Sequence, residues 1–459
     1  MRPTYTFSII ILLALSSYAW GYGTSKSSNS KTKVKKATIT KPILSTPIIQ
    51  PTNDTQTTTV INQSTTQETP TTQDDSFVHT IAARGTIGLS FNSYSTNENP
   101  NNFAIEGTTE ISKNLDSGSI VTNLALLYDN NDDNRRYLML NEAYFKTKID
   151  RTAILIGRNI RNWGVMEAYS SSDIFNTKNY LSDSFDMSSK YGALNMEYTY
   201  SYDDSKISLI TKFEENKQPY PASDNIYNYL PLPYNGELKT EKSNHRPTIY
   251  MKYSGTYNEA FGVDYSIVAQ NGYDNKRYFN YANATQTSLE QHAYLVNKAL
   301  FFGNATYKNF IFKFETAYTD VLNDLAISDY TQTSIGLEYL PSQSINGAEL
   351  RLLLEYYNYT YQDKEKLKNQ DFSEIFNNDL FIGVQSSFGD AGSSEIKGGV
   401  LYDFTNHEQT YVLNFGTRMK ENYRLSMEWM VISPGDDLQT AIGQMGQFNQ
   451  VTFRANYFF

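Results

Sequence analysis

The sequence of 459 residues contains no cysteine and only four histidines, at positions 79, 245, 292 and 407. The absence of cysteine excludes a disulfide scaffold, a thiolate metal site and a cysteine nucleophile. Four scattered histidines leave little material for a zinc or di-iron centre. We therefore expect neither a metal nor any other cofactor.

Long apolar runs are also missing. After residue 20, no segment approaches the roughly 18 consecutive apolar residues of a membrane-spanning helix. The net charge of −10 argues against a nucleic-acid partner. Aromatic residues are plentiful, with 37 Tyr and 25 Phe, although only 39% of the residues are hydrophobic. Length alone suggests about three soluble domains of roughly 150 residues each, but this composition argues against that reading.

The N-terminal segment has the features of an export signal. Arg2 precedes an apolar stretch, Ile9–Leu15, and small residues follow at Ser17 and Ala19. This order predicts a signal peptide over residues 1–19, because seven strongly apolar residues are too few for a membrane anchor. Residues 20–76 are rich in Thr, Ser and Lys and lack the apolar surface that would offset ordering, so we expect a disordered periplasmic tail.

From residue 77 onward, hydrophobic residues recur with a period of two. Phe310, Phe312 and Phe314, for example, alternate with Lys313 and Glu315. Because successive side chains of a strand point to opposite faces, this pattern predicts strands with one apolar and one polar face. Eighteen such segments centre near residues 85, 107, 124, 142, 155, 196, 210, 250, 265, 299, 314, 336, 352, 383, 400, 413, 427 and 454.

The connections between these segments alternate in length. The short connections are 114–118, 148–151, 202–205, 307–309 and 389–392; the long ones are 160–189, 215–246, 271–292, 358–378 and 433–447. One connection on the long side, 405–409, is short. Tight turns at one end and long loops at the other are typical of an outer-membrane barrel. We therefore predict an all-β fold, a transmembrane antiparallel β-barrel of about 18 strands over residues 77–459, with 16 strands as the alternative.

The last strand resembles a known assembly signal. Val451, Phe453, Ala455, Tyr457 and Phe459 share one face, and the chain ends on an aromatic residue. This strand resembles the terminal strand of Gram-negative outer-membrane proteins, whose final Phe is recognised during barrel assembly. The resemblance implies export to the outer membrane, contact with its lipid, and the barrel-assembly machinery as a partner of Phe459.

A second resemblance concerns the connection 160–189. Gly157–Arg158–Asn159, then Trp163–Gly164, then Asp173–Asn176 resemble a segment of several outer-membrane porin families that ends a strand and enters an external loop. The resemblance covers about 20 residues. It implies that 160–189 is the third external loop, which in porins folds into the lumen and narrows it.

Charged residues on or beside this loop are the candidates for a pore constriction: Arg158, Arg161, Glu167 and Asp173. An equally weighted alternative is that they only pin the loop to the wall by salt bridges. Charged strand residues should face the lumen, because a charge on the lipid face costs a few kcal/mol near the midplane. The candidates for the lumen wall are Arg351, Glu355, Lys397, Arg418, Arg424, Glu428 and Arg454.

Charge predicts a weak ion preference. Residues 1–76 carry 7 basic and 4 acidic residues, which leaves 32 basic and 45 acidic residues in the barrel, a net charge of −13. An acidic excess at the mouth or constriction favours cations. The acidic run 129–134 superficially resembles a calcium loop, but it lacks the glycine and glutamate that such loops need, so we expect no metal there.

The sequence thus predicts a porin, monomeric or homotrimeric, that lets small hydrophilic solutes diffuse through an aqueous lumen narrowed by residues 160–189. One alternative is a surface adhesin or receptor that uses the long loops. A hydrolase carried by a barrel is a weaker alternative, since His245 and His407 lack an orienting carboxylate and a nucleophile in a suitable arrangement. We expect no enzymatic activity.

Overall fold

The computed structural model describes residues 81–459 except 95–100, 182–188, 224, 226–227, 229, 231, 259–260, 324–325, 343–346, 364–365, 367–375, 436–439, 441 and 444–445. The predicted signal peptide (1–19), the predicted tail (20–76) and residues 77–80 lie outside the described residues. Within the described part of the chain, no helix is long and apolar enough to cross a membrane.

Most of the described residues form strands, as the period-two pattern predicts, and one short 3-10 helix spans Asp133–Arg135. The strands are β1 (Ile81–Tyr94), β2 (Asn102–Leu115), β3 (Gly118–Asp129), β4 (Arg136–Ile149), β5 (Thr152–Asn159), β6 (Ala193–Tyr202), β7 (Ser205–Lys212), β8 (Tyr234–Thr240), β9 (Thr248–Asn258), β10 (Gly262–Tyr273), β11 (Tyr278–Tyr281), β12 (Leu289–Ala293), β13 (Leu295–Tyr307), β14 (Phe310–Val321), β15 (Tyr330–Tyr339), β16 (Glu349–Tyr361), β17 (Asn378–Ser387), β18 (Glu395–Asp403), β19 (Gln409–Lys420), β20 (Tyr423–Ser433) and β21 (Phe448–Phe458).

Eighteen of these strands form one antiparallel sheet in which each strand pairs with the next along the chain. β7 pairs directly with β9, and β10 with β13, so that β8, β11 and β12 stand outside the barrel wall. The first strand pairs with the last, from Thr86 opposite Phe458 to Tyr94 opposite Gln450. The sheet is therefore closed, and each of the eighteen predicted segments corresponds to one wall strand. The predicted 18-stranded barrel is confirmed.

The last residue completes the seam. The amide N–H of Gly85 donates to the carbonyl oxygen of Phe459 at 3.0 Å, and Phe459 donates back at 3.1 Å. A Cβ at position 85 would lie 2.5 Å from Cζ of Phe459 and 2.5 Å from the carbonyl oxygen of Thr108. Only glycine leaves room for the terminal aromatic ring at this point of the seam.

The two faces of the wall differ as the alternation predicts. Ile87, Leu138 and Met251 are at least half exposed on the outside, where lipid would cover them. Aromatic side chains gather on the outer face near the short turns, at Tyr202, Tyr257, Tyr307, Tyr423 and Tyr457. This arrangement is the aromatic girdle of a barrel that spans a membrane.

The two ends of the barrel also differ. Turns of two residues join β2 to β3, β4 to β5, β6 to β7, β13 to β14 and β19 to β20 at one end, which we call the short-turn rim. The long connections lie at the opposite end, the long-loop rim. There β8, β11 and β12 form a separate three-stranded sheet. The sequence did not predict this sheet, because its strands are short and their pattern does not alternate cleanly.

Candidate functional site

The connection between β5 and β6, which we call loop 3 (residues 160–189), enters the barrel interior. The ring of Trp163 packs edge-on against Tyr250 of β9, with 5.5 Å between centroids, and lies 5.7 Å from the ring of Phe175. Trp163, Phe175 and Tyr250 are all buried. Tyr250 belongs to the inner face of the wall, so apolar packing draws this part of the loop away from the rim and into the lumen.

A wall carboxylate holds the centre of loop 3. Glu315 of β14 is fully buried and accepts hydrogen bonds from the backbone N–H groups of Val165 (2.6 Å), Met166 (3.1 Å) and Ser172 (3.0 Å). The hydroxyl of Ser170 donates to it at 2.9 Å. Successive backbone amides that converge on one anion form a nest. A buried carboxylate needs such donors, because an uncompensated buried charge costs several kcal/mol.

The nest depends on glycine. Gly164 has φ +109°, a region that side chains disfavour. A Cβ there would lie 1.7 Å from Oγ of Ser170 and 2.7 Å from Oε1 of Glu315. The Trp163–Gly164 pair therefore has a local explanation: tryptophan anchors the loop by packing, and glycine lets the next amides turn toward the wall.

A second wall carboxylate repeats the arrangement two strands away. Glu355 of β16 accepts from the N–H groups of Glu167 (2.8 Å) and Ala168 (3.1 Å), and it also accepts from the hydroxyl of Tyr357. Glu355 is fully buried. Loop 3 is thus fastened through its backbone to β14 and β16, in addition to the packing of Trp163.

The side chain of Glu167 joins an ion cluster on the same wall. Its Oε1 lies 3.1 Å from Nζ of Lys313 and 2.6 Å from Nη2 of Arg351. Both cations also contact Glu338 of β15. Burial by itself would raise the pKa of Glu167, but Lys313 and Arg351 hold that pKa below its usual range. Glu167 remains about a third exposed, so its carboxylate borders the open lumen.

Two other predicted constriction residues are tied to the wall or to the loop itself. The guanidinium of Arg161 lies 2.6 Å from Glu197 and donates to Asn195 at 2.7 Å, both on β6. Asp173 forms an ion pair with Lys190, which precedes β6. Arg161 and Asp173 are therefore both held in ion pairs, the arrangement that the sequence analysis gives as the alternative to a constriction.

The prediction that Arg158 faces the lumen is wrong. The register places it opposite Ala143 of β4 and Leu194 of β6, and Leu194 is 39% exposed on the outer face. The guanidinium donates to the carbonyl oxygen of Gly192 at 2.6 Å and pairs with Glu214. Arg158 ends its strand at the long-loop rim, where an outward charge costs little because the membrane midplane is far away.

The seven predicted lumen-wall residues all occupy inner-face positions in the strand register. Most are held in ion pairs. Nζ of Lys397 lies 3.3 Å from Glu395, which also binds Arg424. Arg454 lies 3.7 Å from Glu428. Arg418, near the short-turn rim, lies over the ring of Phe458 at 5.9 Å.

Sequence reasoning missed the residues that position loop 3. Lys313, Glu315 and Glu338 were expected only as generic charges of the inner face, yet they form the anchor of the loop with Glu355. The only sequence signal was Trp163–Gly164 inside a non-strand segment. The two wall glutamates come from strands more than 140 residues further along the chain, and only closure of the barrel brings them to the loop.

Two carboxylates of the acidic run 129–134 accept hydrogen bonds from other parts of the protein. Asp129 accepts from Arg135 at 2.9 Å, and Asp132 accepts from the N–H of Ala222 at 2.9 Å and from Asn225 at 2.8 Å. Its carboxylates tie the loop between β3 and β4 to the loop between β7 and β9. Over the described ranges, no cluster of His, Cys, Asp or Glu is arranged to hold a metal ion.

No protein-family model and no curated protein matches this chain. Solved barrels resemble it in fold. OccAB4 of Acinetobacter baumannii is 9% identical with a TM-score of 0.50, over 83% of this chain and 98% of the other. A BenF-like porin from Pseudomonas fluorescens Pf-5 is 6% identical with a TM-score of 0.49, over 82% and 98%. OmpT of Vibrio cholerae, in a trimer form, is 10% identical with a TM-score of 0.41, over 83% and 99%. At such low identity, the likeness to OccAB4 supports the barrel fold alone.

Proposed function

We propose that this protein is an outer-membrane porin through which small hydrophilic solutes diffuse passively. The observation that carries the proposal is the loop 3 anchor. A closed barrel of 18 strands is wide enough to leave an aqueous channel unless loops fill it. Here loop 3 is fastened inside the barrel by Glu315 and Glu355. The loop therefore narrows the lumen next to β14 and β16.

The charged inner face supports the same function. Ion pairs such as Arg424–Glu395 and Arg454–Glu428 line the inner wall from β18 to β21. Charged side chains along a pore let hydrated solutes pass and set ion selectivity.

The proposed location is the outer membrane of a Gram-negative bacterium, with the short-turn rim in the periplasm and the long loops outside. The apolar outer face and the aromatic girdle fit outer-membrane lipid. The seam between Gly85 and Phe459 fits a terminal residue that the barrel-assembly machinery would guide into place. The proposed oligomeric state is a monomer or a homotrimer.

We infer no catalytic activity, since the proposed transport needs neither covalent chemistry nor a cofactor. A second candidate function rests on the sheet of β8, β11 and β12. This sheet gives the long-loop rim a folded surface, stiffened by the packing of Tyr220 against Phe279 with 5.8 Å between ring centroids. A receptor or adhesin role on that surface is compatible with a pore beneath it.

The test is single-channel conductance of the refolded full-length protein in a planar bilayer, with folding checked by heat-modifiable mobility. Steady openings with a conductance proportional to salt concentration are expected. A correctly folded sample that stays silent would overturn the porin proposal. Binding of that silent sample to host surfaces or to phage would then support the receptor role.

A further inference from the structure

Two inner-wall lysines differ from the paired charges around them. Lys206 of β7 and Lys252 of β9 have no carboxylate within ion-pair distance among the residues that the structure describes. Glu197 of the nearby strand β6 is already bound to Arg161 at 2.6 Å. No described carboxylate therefore neutralises either of these two ammonium groups.

The strand register brings the two lysines together. Lys206 stands opposite Ser254, and Lys252 stands opposite Ser208, all on the inner face. Lys206 and Lys252 are thus diagonal neighbours, whose backbones lie roughly 7–8 Å apart. Side chains as long as lysine reach a common point across that distance. Ser254 adds a hydroxyl that lies 2.8 Å from that of Ser266.

A recess of about 180 Å³ opens beside them, lined by Lys206, Ser254, Ser266, Phe302 and Val165. Val165 belongs to loop 3, so the recess lies directly against the loop on its short-turn side. Nζ of Lys252 sits 5.3 Å from the ring of Trp163 and 5.4 Å from that of Phe302. Lys252 does not itself line the recess, but these cation–π contacts hold its ammonium beside Phe302, which does.

Carboxylates also occur at the other end of the recess. Asp204 and Asp264 line it toward the short-turn rim, and Asp264 already accepts from the hydroxyl of Thr256 at 2.7 Å. The recess therefore has its positive charge beside loop 3 and its negative charge toward the rim. A solute that enters past loop 3 meets the two ammonium groups first.

We propose that Lys206 and Lys252 form an oxyanion subsite in the channel, which holds the carboxylate or phosphate group of a small solute beneath loop 3. The inference rests on the proposed porin function and specifies the class of solute. A subsite for anions runs against the cation preference that the net charge of −13 suggests. Glu315 and Glu355 accept hydrogen bonds from loop amides, whereas these two lysines form no ion pair with any described carboxylate.

The experiment measures block of the potassium chloride current by inorganic phosphate, with succinate as a second probe to separate phosphate from carboxylate recognition. The full-length protein is compared with Lys206→Gln, Lys252→Gln and the double variant. A charge-assisted hydrogen bond strengthens binding by about tenfold or more. Each single variant should therefore raise the half-blocking concentration about tenfold, and the double variant should abolish block.

Two controls separate the subsite from other effects. Lys252→Arg keeps the charge and the contact with Trp163, and it should retain block. Lys148→Gln removes an exposed inner-face lysine of β4 outside the recess and should also retain block. An equal loss of block in Lys148→Gln would overturn the subsite in favour of a diffuse charge effect.

The two proposals fail in different ways. A folded protein without conductance would overturn the porin proposal itself. A protein that conducts, but whose current is unaffected by both phosphate and succinate, would leave the porin proposal standing and overturn the oxyanion subsite. Block by succinate alone or by phosphate alone supports the subsite and identifies which oxyanion it accepts.

Discussion

Replacing Glu315 by glutamine should release loop 3 without unfolding the barrel. In the wild-type protein, Oε1 receives the amides of Val165 and Met166, and Oε2 receives the amide of Ser172. Glutamine keeps one acceptor oxygen, so the first two bonds persist in a weaker, neutral form. Its NH₂ group would face the amide of Ser172, which would then be buried without an acceptor.

The magnitude follows from these three bonds. Loss of the charge weakens each of two hydrogen bonds by about 1 kcal/mol, and one unsatisfied buried amide costs about 1–3 kcal/mol. Loop docking should therefore weaken by about 3–5 kcal/mol. At 1.4 kcal/mol for each factor of ten, the undocked population rises by about two to four orders of magnitude. The barrel keeps all of its interstrand hydrogen bonds, so folding should be preserved.

The assay is single-channel recording combined with limited proteolysis. The Glu315→Gln channel should show larger or noisier conductance, and loop 3 should become accessible to protease. Glu349→Gln is the matched control. Glu349 of β16 also lies on the inner face of the barrel, but near the short-turn rim and away from the loop. Unchanged conductance, noise and protease resistance in a folded Glu315→Gln barrel would refute the anchoring role.

Three further outcomes follow from the same geometry. Gly164→Ala should reproduce the Glu315→Gln recordings, because its added Cβ collides with the nest and its φ is unfavourable; wild-type recordings would contradict this. Gly85→Val should lower the yield of heat-modifiable barrel, because it displaces Phe459, whereas Gly107→Val, whose Cβ would meet only ordinary contacts, should fold normally. Because ion pairing lowers the pKa of Glu167, its contribution to loop docking is present above the ordinary pKa and lost as pH falls through the lower folded pKa. Conductance should therefore stay steady from about pH 8 to pH 5 and become noisier below about pH 4, and noise that rises instead with pH would contradict the assignment.

The loss of Arg158 from the predicted constriction shows where alternation stops being informative. Period two assigns faces well in the middle of a strand, where an outward charge is expensive. At the rim that penalty vanishes, and an arginine can point outward and bind Glu214. The three-stranded sheet of β8, β11 and β12 escaped prediction for a related reason: its faces pack against other loops, and no membrane imposes a pattern on them.

The sequence by itself determined the number of wall strands, their positions, which face of each is apolar, and which end carries the long loops. These features are local, because lipid on one side and water on the other impose the same alternation on every strand. Trp163–Gly164 also marked the loop that enters the lumen.

Only the tertiary structure decided which charges remain available. Glu315 and Glu355 are indistinguishable from other wall glutamates in the sequence, but closure of the barrel places loop amides over both. Lys206 and Lys252 become neighbours only through the pairing of β7 with β9, which skips β8. Net charge is a sum over the chain, whereas selectivity depends on which individual charges are neutralised, and that depends on contacts between residues far apart in the sequence.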